Sequence, residues 1–179
     1  MNAVREFPPN PHALVVHTDS LVTDEIVETY LAGSPAPPVV WIRAVLALAG
    51  VRVLSLNAYK VRLQKQKGAR WDGIMRPFER ILCDGLDIKR LSDLVEVESR
   101  SRRFAWHGRP LARCVYEGKR QALENPLAGD LFAIPGVAEV ILDGHEIEVC
   151  KCPLRAWREM APAIARRLAN VSDARDPGH

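Results

Sequence analysis

The sequence predicts an α+β protein of two tandem units, each a small, mostly antiparallel sheet covered on one face by two helices. Three observations carry that expectation. The stretch Asn125–Leu168 reads as helix, turn, strand, tight turn, strand, helix. Its landmarks recur 86 residues earlier: Gly136 falls on Gly50, Val137 on Val51, Leu142 on Leu56, Lys151 on Lys65, Trp157 on Trp71 and Tyr116 on Tyr30. Both copies also place the tryptophan 21 positions after the glycine, an ungapped match that one unit written twice explains most simply.

Composition sets the frame. The 179 residues are 47% hydrophobic and 26% charged with a net charge of +3, ordinary values for a soluble globular protein. Such a chain buries roughly 70% of its unfolded surface, enough for one sizeable core or two small ones. Met1–Pro11 has neither a basic start nor an apolar run, so no signal peptide is expected. The longest apolar run, Pro37–Gly50, is interrupted by Arg43 and too short to span a bilayer. Cys83, Cys114, Cys150 and Cys152 do not suggest a secreted disulfide framework, which implies a reduced, cytoplasmic protein without membrane contact.

The first unit is expected over residues 1–83. Met1–Pro11 is proline-rich and reads as extended. Ala13–Thr18 is a strand and Thr29–Leu31 the next, while the intervening TDEIVE could equally be a helical turn. Ser34–Pro38 is a loop. Val39–Ala49 is a nearly all-apolar helix ended by Gly50. Val51–Leu56 and Lys60–Leu63 form a hairpin across Asn57-Ala58. Trp71–Leu82 is a second helix, broken or bent near Pro77, since an interior proline costs about 3 kcal/mol. Residues 84–101 read as a charged connector in which Leu86, Ile88, Leu91 and Leu94 give helical periodicity.

The second unit is expected over residues 102–169. Arg103–His107 and Leu111–Glu117 look like a hairpin over Gly108-Arg109-Pro110. Asn125 N-caps a helix whose first position suits Pro126, with Leu127, Leu131 and Ile134 at helical spacing and Pro135-Gly136 as the stop. Val137–Leu142 and Ile147–Val149 are strands around an Asp143-Gly144 turn. The final helix carries Trp157, Met160, Ile164 and Leu168. Pro162 follows Trp157 by five residues and Pro77 follows Trp71 by six, so the second helices are expected to differ by one residue. Residues 170–179 form a polar tail expected to be disordered. Trp71 and Trp157 should be buried core anchors against Val45 and Leu131 of their own units. The units should pack as a pseudo-symmetric pair within a monomer, because a unit of this size has sheet edges to protect.

Few residues suggest chemistry. Cys150-Lys151-Cys152 places two thiols on one face of a straight strand with Glu148, roughly 6.6 Å apart, so the backbone must bend before one ion could bridge them. Pro153 could mark such a bend. Solvent-side cysteines without a ligand are the plainer reading. Arg100, Arg102, Arg103, Arg109 and Arg113 with Phe104 and Trp106 could track a phosphate backbone with stacking rings, but a net charge of +3 favours a hairpin with inward rings and solvated arginines. No phosphate-cradling glycine loop occurs, and the five histidines are scattered.

Against this sparse chemistry, several motifs match a known pattern. PNPHAL near the start, NPLAGDLFAIPGV, the strand ending Val149-Cys150-Lys151, and Trp157 with Met160-Ala161-Pro162 resemble the N-terminal domain of Nfu/NifU-type iron–sulfur scaffold proteins. The first copy matches more faintly through Ala49-Gly50-Val51, Leu63-Gln64-Lys65, Trp71 and Arg76-Pro77. The threonine of the family's strand motif is Gln64 in one copy and Cys150 in the other. Members that carry clusters do so on a separate domain with a Cys-x-x-Cys motif, absent from these residues. The resemblance implies a non-enzymatic accessory or scaffold-like role in cluster assembly or delivery through contacts with assembly or client proteins. It singles out Lys65 and Lys151 as interaction positions; Arg102 and Arg103 of the basic stretch are two further interaction candidates. Cys150 and Cys152 could hold iron, an iron–sulfur cluster or zinc with ligands from Cys83, Cys114 or a second chain. A metal or thiol protein and a weak nucleic-acid module using Arg100–Arg113 are the alternatives.

Overall fold

Two strand pairs rich in valine, leucine and isoleucine each become the centre of a sheet, where neighbours on both sides exclude water. The protein, described by a computed structural model over residues 1–23, 27–35, 37–96 and 98–174, is α+β. It divides into two compact units, Met1–Thr23 with Val27–Val95 and the chain from Glu96 onward.

In the first unit, β1 (Asn2–Glu6), β2 (Ala13–Thr18), β3 (Glu28–Leu31), β4 (Val51–Asn57), β5 (Lys60–Lys65) and β6 (Arg90–Asp93) form a six-stranded sheet in the order β3-β4-β5-β2-β1-β6. All pairs are antiparallel except β1 with β6. Helices α1 (Val40–Leu46) and α2 (Met75–Leu86) bring Ile42, Val45, Phe78 and Leu82 onto Leu14, Val16, Leu54 and Leu63 of the sheet. Every residue of β2 is buried; Leu14 and Val16 lie in the core with the helices, while on the other face Arg62 and Gln64 of the neighbouring β5 are half-buried.

The second unit continues with β7 (Ser101–Ala105), β8 (Leu111–Tyr116), α3 (Lys119–Ala122), α4 (Pro126–Phe132), β9 (Val137–Gly144), β10 (Glu146–Lys151) and α5 (Trp157–Ala174). Its four strands are antiparallel in the order β7-β10-β9-β8. Asn125 Oδ1 accepts the Leu127 and Ala128 backbone N–H groups at 3.0 and 3.2 Å, capping α4 as its sequence suggests. Leu127 and Leu131 then meet Val140, Leu142, Ile147 and Val149 beneath Met160 and Ile164.

Buried positions recur 86 residues apart through both cores: Val45 and Leu131, Leu54 and Val140, Leu63 and Val149, Ile74 and Met160, Phe78 and Ile164, Leu82 and Leu168. The expected one-residue difference between the second helices is therefore confined to the prolines. Pro77 lies in the first turn of α2, where no intrahelical N–H is required, so it does not break the helix. Trp71 begins a separate 3₁₀ turn, Trp71–Gly73, ahead of α2.

Met1–Pro11 is extended over β1, which pairs with both β2 and β6. The two compact units meet between Val95 and Glu96, inside the stretch read as a connector. Other expectations are corrected. Leu86 ends α2 and Asp87 turns left-handed at φ 50°, after which Arg90–Asp93 is a strand rather than more helix. β7 and β8 are not a hairpin: the apolar β9–β10 pair lies between them and leaves the arginine-bearing strands at the edges, where charge stays hydrated. Of the expected tail, Asn170–Ala174 continues α5, and 175–179 lie outside the described residues, as does the Asp24–Ile26 part of TDEIVE.

Trp157 is 7% exposed within the core that holds Leu131, its ring 6.3 Å from that of Phe104. Trp71, at the rim ahead of α2, is only half-buried, contrary to the expectation of equal anchors. Trp157→Ala should cost about 3–5 kcal/mol, as deletion of a buried aromatic does, and Trp71→Ala clearly less. Chemical denaturation of each variant measures the difference, and equal losses would contradict the unequal burial.

Candidate functional site

Each helix-to-strand turn ends on a glycine, and the far end of the hairpin returns to it. Gly50 and Gly136 have φ of +87° and +95°, a region that β-carbons strongly disfavour. Gln66 N–H donates to Gly50 O and Cys152 N–H to Gly136 O, both at 2.7 Å. To reach that bond the ladder slips by one residue. Lys65 comes opposite Val51 and Lys151 opposite Val137, whereas Gln64 faces Val53 and Cys150 faces Glu139. Such a bulge re-aims the side chains that follow it.

The bulge settles where the cysteines lie. Cys150 is half-buried, whereas Cys152 is 1% exposed beyond the strand end, so the shared outer face of a straight strand is not formed. Among the described residues no group of three or more histidine, cysteine or acidic side chains is placed to hold a metal ion. Within the second unit Cys150 and Cys152 thus do not assemble a cage with Cys114. Burial pushes the Cys83 thiol up, reinforced by Glu79 and Asp84, which keeps it protonated at neutral pH and disfavours thiolate chemistry.

Lys151 is buried rather than a solvated strand end. Its Nζ donates to the Arg155 carbonyl at 2.6 Å, lies 3.6 Å from Glu98 Oε2 and stands 6.0 Å from the Trp157 ring centre. The same Glu98 oxygen accepts the Trp157 backbone N–H at 3.1 Å, and Trp157 Nε1 donates to Ser99 O at 2.7 Å. A carboxylate at the start of α5 complements the helix dipole while neutralising the lysine. In the first unit, Lys65 Nζ lies 3.2 Å from His12 Nδ1 and 5.8 Å from the Trp71 ring centre, and Trp71 Nε1 donates to Pro11 O at 3.0 Å. Lysine, tryptophan and the chain preceding the strand beside the hairpin, β2 or β7, thus meet twice, tightly in one unit and loosely in the other.

Sequence reasoning found both lysines but missed Glu98 and His12. Glu98 belongs to no local motif and His12 sits inside PNPHAL with nothing to mark it as a partner of Lys65; the pairing of β7 with β10 and of β2 with β5 brings them near.

The basic stretch does not form a stacking surface. Trp106 is buried with its Nε1 donating to Arg109 O at 2.8 Å, and Phe104 packs beside Trp157. The exposed groups are arginines. Arg103 reaches Glu148 and Glu146 at 3.3 and 3.5 Å, and the Arg102 guanidinium stands 5.9 Å from the Phe104 ring centre. Arg100 pairs with Glu96 and Arg113 with Asp143.

No family model matches this chain, nor does any curated protein. Two solved structures resemble part of it. The crystal structure of protein SAV1430 from Staphylococcus aureus is 18% identical and aligns over 46% of this chain and 99% of that one, with a TM-score of 0.40. The solution NMR structure of SeR13 from Staphylococcus epidermidis is 19% identical over 45% of this chain and 92% of that one, with a TM-score of 0.35. At that level of likeness neither bears on what this chain does.

Removing the buried ammonium takes the Lys151 donor from the Arg155 carbonyl and the neutralising cation from Glu98, which keeps the Trp157 N–H. Lys151→Met should therefore destabilise the second unit by about 1–3 kcal/mol, and Lys65→Met its own unit by less. Unfolding followed by Trp157 and Trp71 fluorescence in single-tryptophan backgrounds reads the two apart. A neutral Lys151→Met would show the lysine to be structurally idle.

Proposed function

We propose that this chain is a non-enzymatic accessory protein of iron–sulfur cluster assembly or delivery, built as two divergent tandem units of the Nfu/NifU N-terminal type and acting by protein–protein contact. One observation carries the reading. The second unit keeps the family's helix start at Asn125–Ala128, its turn at Ile134–Val137, its strand-end Lys151 and Trp157 in one stretch. The recurrence of lysine beside tryptophan at Lys65 and Trp71 supports a shared origin of the two units. In this reading the cluster belongs to the partners and the chain contributes recognition.

The positions that face a partner differ from those the resemblance singles out. Lys151 is committed to Glu98 and the start of α5 and serves the fold. Arg102 and Arg103 are exposed and remain the accessible basic pair for an acidic surface. Anaerobic incubation of the purified protein with iron and sulfide should give no stable cluster spectrum. Affinity capture from the native host should recover cluster-assembly or client proteins, with recovery reduced in an Arg102→Glu, Arg103→Glu variant. Capture of no such partner would sink the function and leave the architecture untouched.

A further inference from the structure

The two sheets share the strand order β3-β4-β5-β2 and β8-β9-β10-β7, but they end differently. Beyond β2 the first sheet adds β1, whereas β7 is the last strand of the second. The register aligns β7 with β2 residue by residue. Ala13 faces Gln64 and Ser101 faces Cys150, positions that correspond in β5 and β10, so Arg103 takes the place of Val15 and Ala105 that of His17.

Backbone direction follows from the bonds at each strand end. Arg100 O accepts from Lys151 N–H and Trp106 N–H donates to His145 O, so the even-numbered residues of β7 face β10. In an antiparallel ladder the odd residues then turn their N–H and C=O groups outward. Ser101 satisfies both of its groups on Ser99 Oγ, at 3.4 and 3.0 Å. Those of Arg103 and Ala105 meet no partner among the described residues, and both residues are exposed. In the first unit the equivalent Val15 and His17 pair with Glu6 and Val4 of β1.

We infer that the outer edge of β7 is a strand-addition site that takes an extended acidic segment of a partner protein, antiparallel, in the place that β1 occupies on β2. Main-chain bonds to Arg103 and Ala105 supply the affinity and side chains select the occupant. By the register of β1, the residue opposite Arg103 takes the place of Glu6 and the one opposite Ala105 that of Val4. An acid next to Arg103 and a second beside Arg102, with a small apolar residue opposite Ala105, therefore complete the edge. β7 itself, Ser-Arg-Arg-Phe-Ala, holds no acidic residue, and Arg102 has no carboxylate partner among the described residues. This deepens the contact-based reading above by naming the surface, yet stands on strand geometry alone and needs no iron–sulfur partner.

The probe is the peptide acetyl-Thr-Ala-Val-Thr-Glu-Glu-Thr-amide, titrated into the full-length, isotope-labelled protein and followed by NMR. The expected result is saturable shifts centred on Arg103 and Ala105, with slowed exchange of their two amides. Ala105→Pro removes an outward N–H that serves no ladder bond, which an edge strand tolerates, and should weaken binding by about tenfold or more. If that variant fails to fold, Arg102→Glu with Arg103→Glu decides the matter: it should prefer the same peptide with lysines in place of both glutamates. Absence of binding, undiminished binding to Ala105→Pro, or indifference to the charge exchange would overturn the site and show the arginines to be edge protection alone. Because the measurement uses purified protein and a synthetic peptide, it fails or succeeds independently of any cluster-assembly partner.

Discussion

The hydrogen bond from the end of a central hairpin back to the glycine that began it organises each unit. Gly50 and Gly136 stop a helix, reverse the chain with positive φ and accept the N–H of Gln66 or Cys152. A side chain at either glycine would be strained twice. A β-carbon at Gly50 would come within 2.8 Å of that of Ala69, and one at Gly136 within 2.5 Å of Arg155 Cγ. The one-residue slip that the bond demands places lysine inward, moves Cys152 out of the strand and sets the start of the following helix. Packing of tryptophan and lysine against the chain that leads into β2 or β7 follows from that closure.

What each unit adds to this frame sets its capacity for contact. The first spends its N-terminal segment on β1, and Arg5 ties that strand to Glu79 of α2 and Asp93 of β6. Its edge beside β2 is thereby closed. Among the described residues the second has no such strand, and its edge carries arginines rather than the valines of β2. Charge keeps an open edge from pairing with itself while leaving its backbone available to a segment of opposite sign. The asymmetry between the units, more than any shared side chain, therefore distinguishes the closed edge of β2 from the open edge of β7.

Local signals in the sequence located much of this. The Asn125 cap, the paired glycines and the apolar spacing of Trp157, Met160, Ile164 and Leu168 are consequences of short-range geometry, and they stand where that geometry puts them. Features that depend on distant pairing were not legible. Arg90–Asp93 has no apolar alternation and becomes a strand only because β1 lies beside it. Gly108-Arg109-Pro110 imitates a hairpin turn, although the stronger β9–β10 pair claims the centre. Cys150 and Cys152 look equivalent until the bulge separates them, and Glu98 has no local reason to meet Lys151.

The measurement closest to the central claim is native-state hydrogen exchange on the free protein, resolved by residue. Amides bonded within a ladder exchange only when the ladder opens, whereas outward amides on a bare edge exchange freely. Val15 and His17 should be strongly protected, Arg102 and Phe104 protected within their own sheet, and Arg103 and Ala105 fast. Slow exchange at Arg103 and Ala105 in the free chain would mean that something already closes the second edge, and would contradict the account.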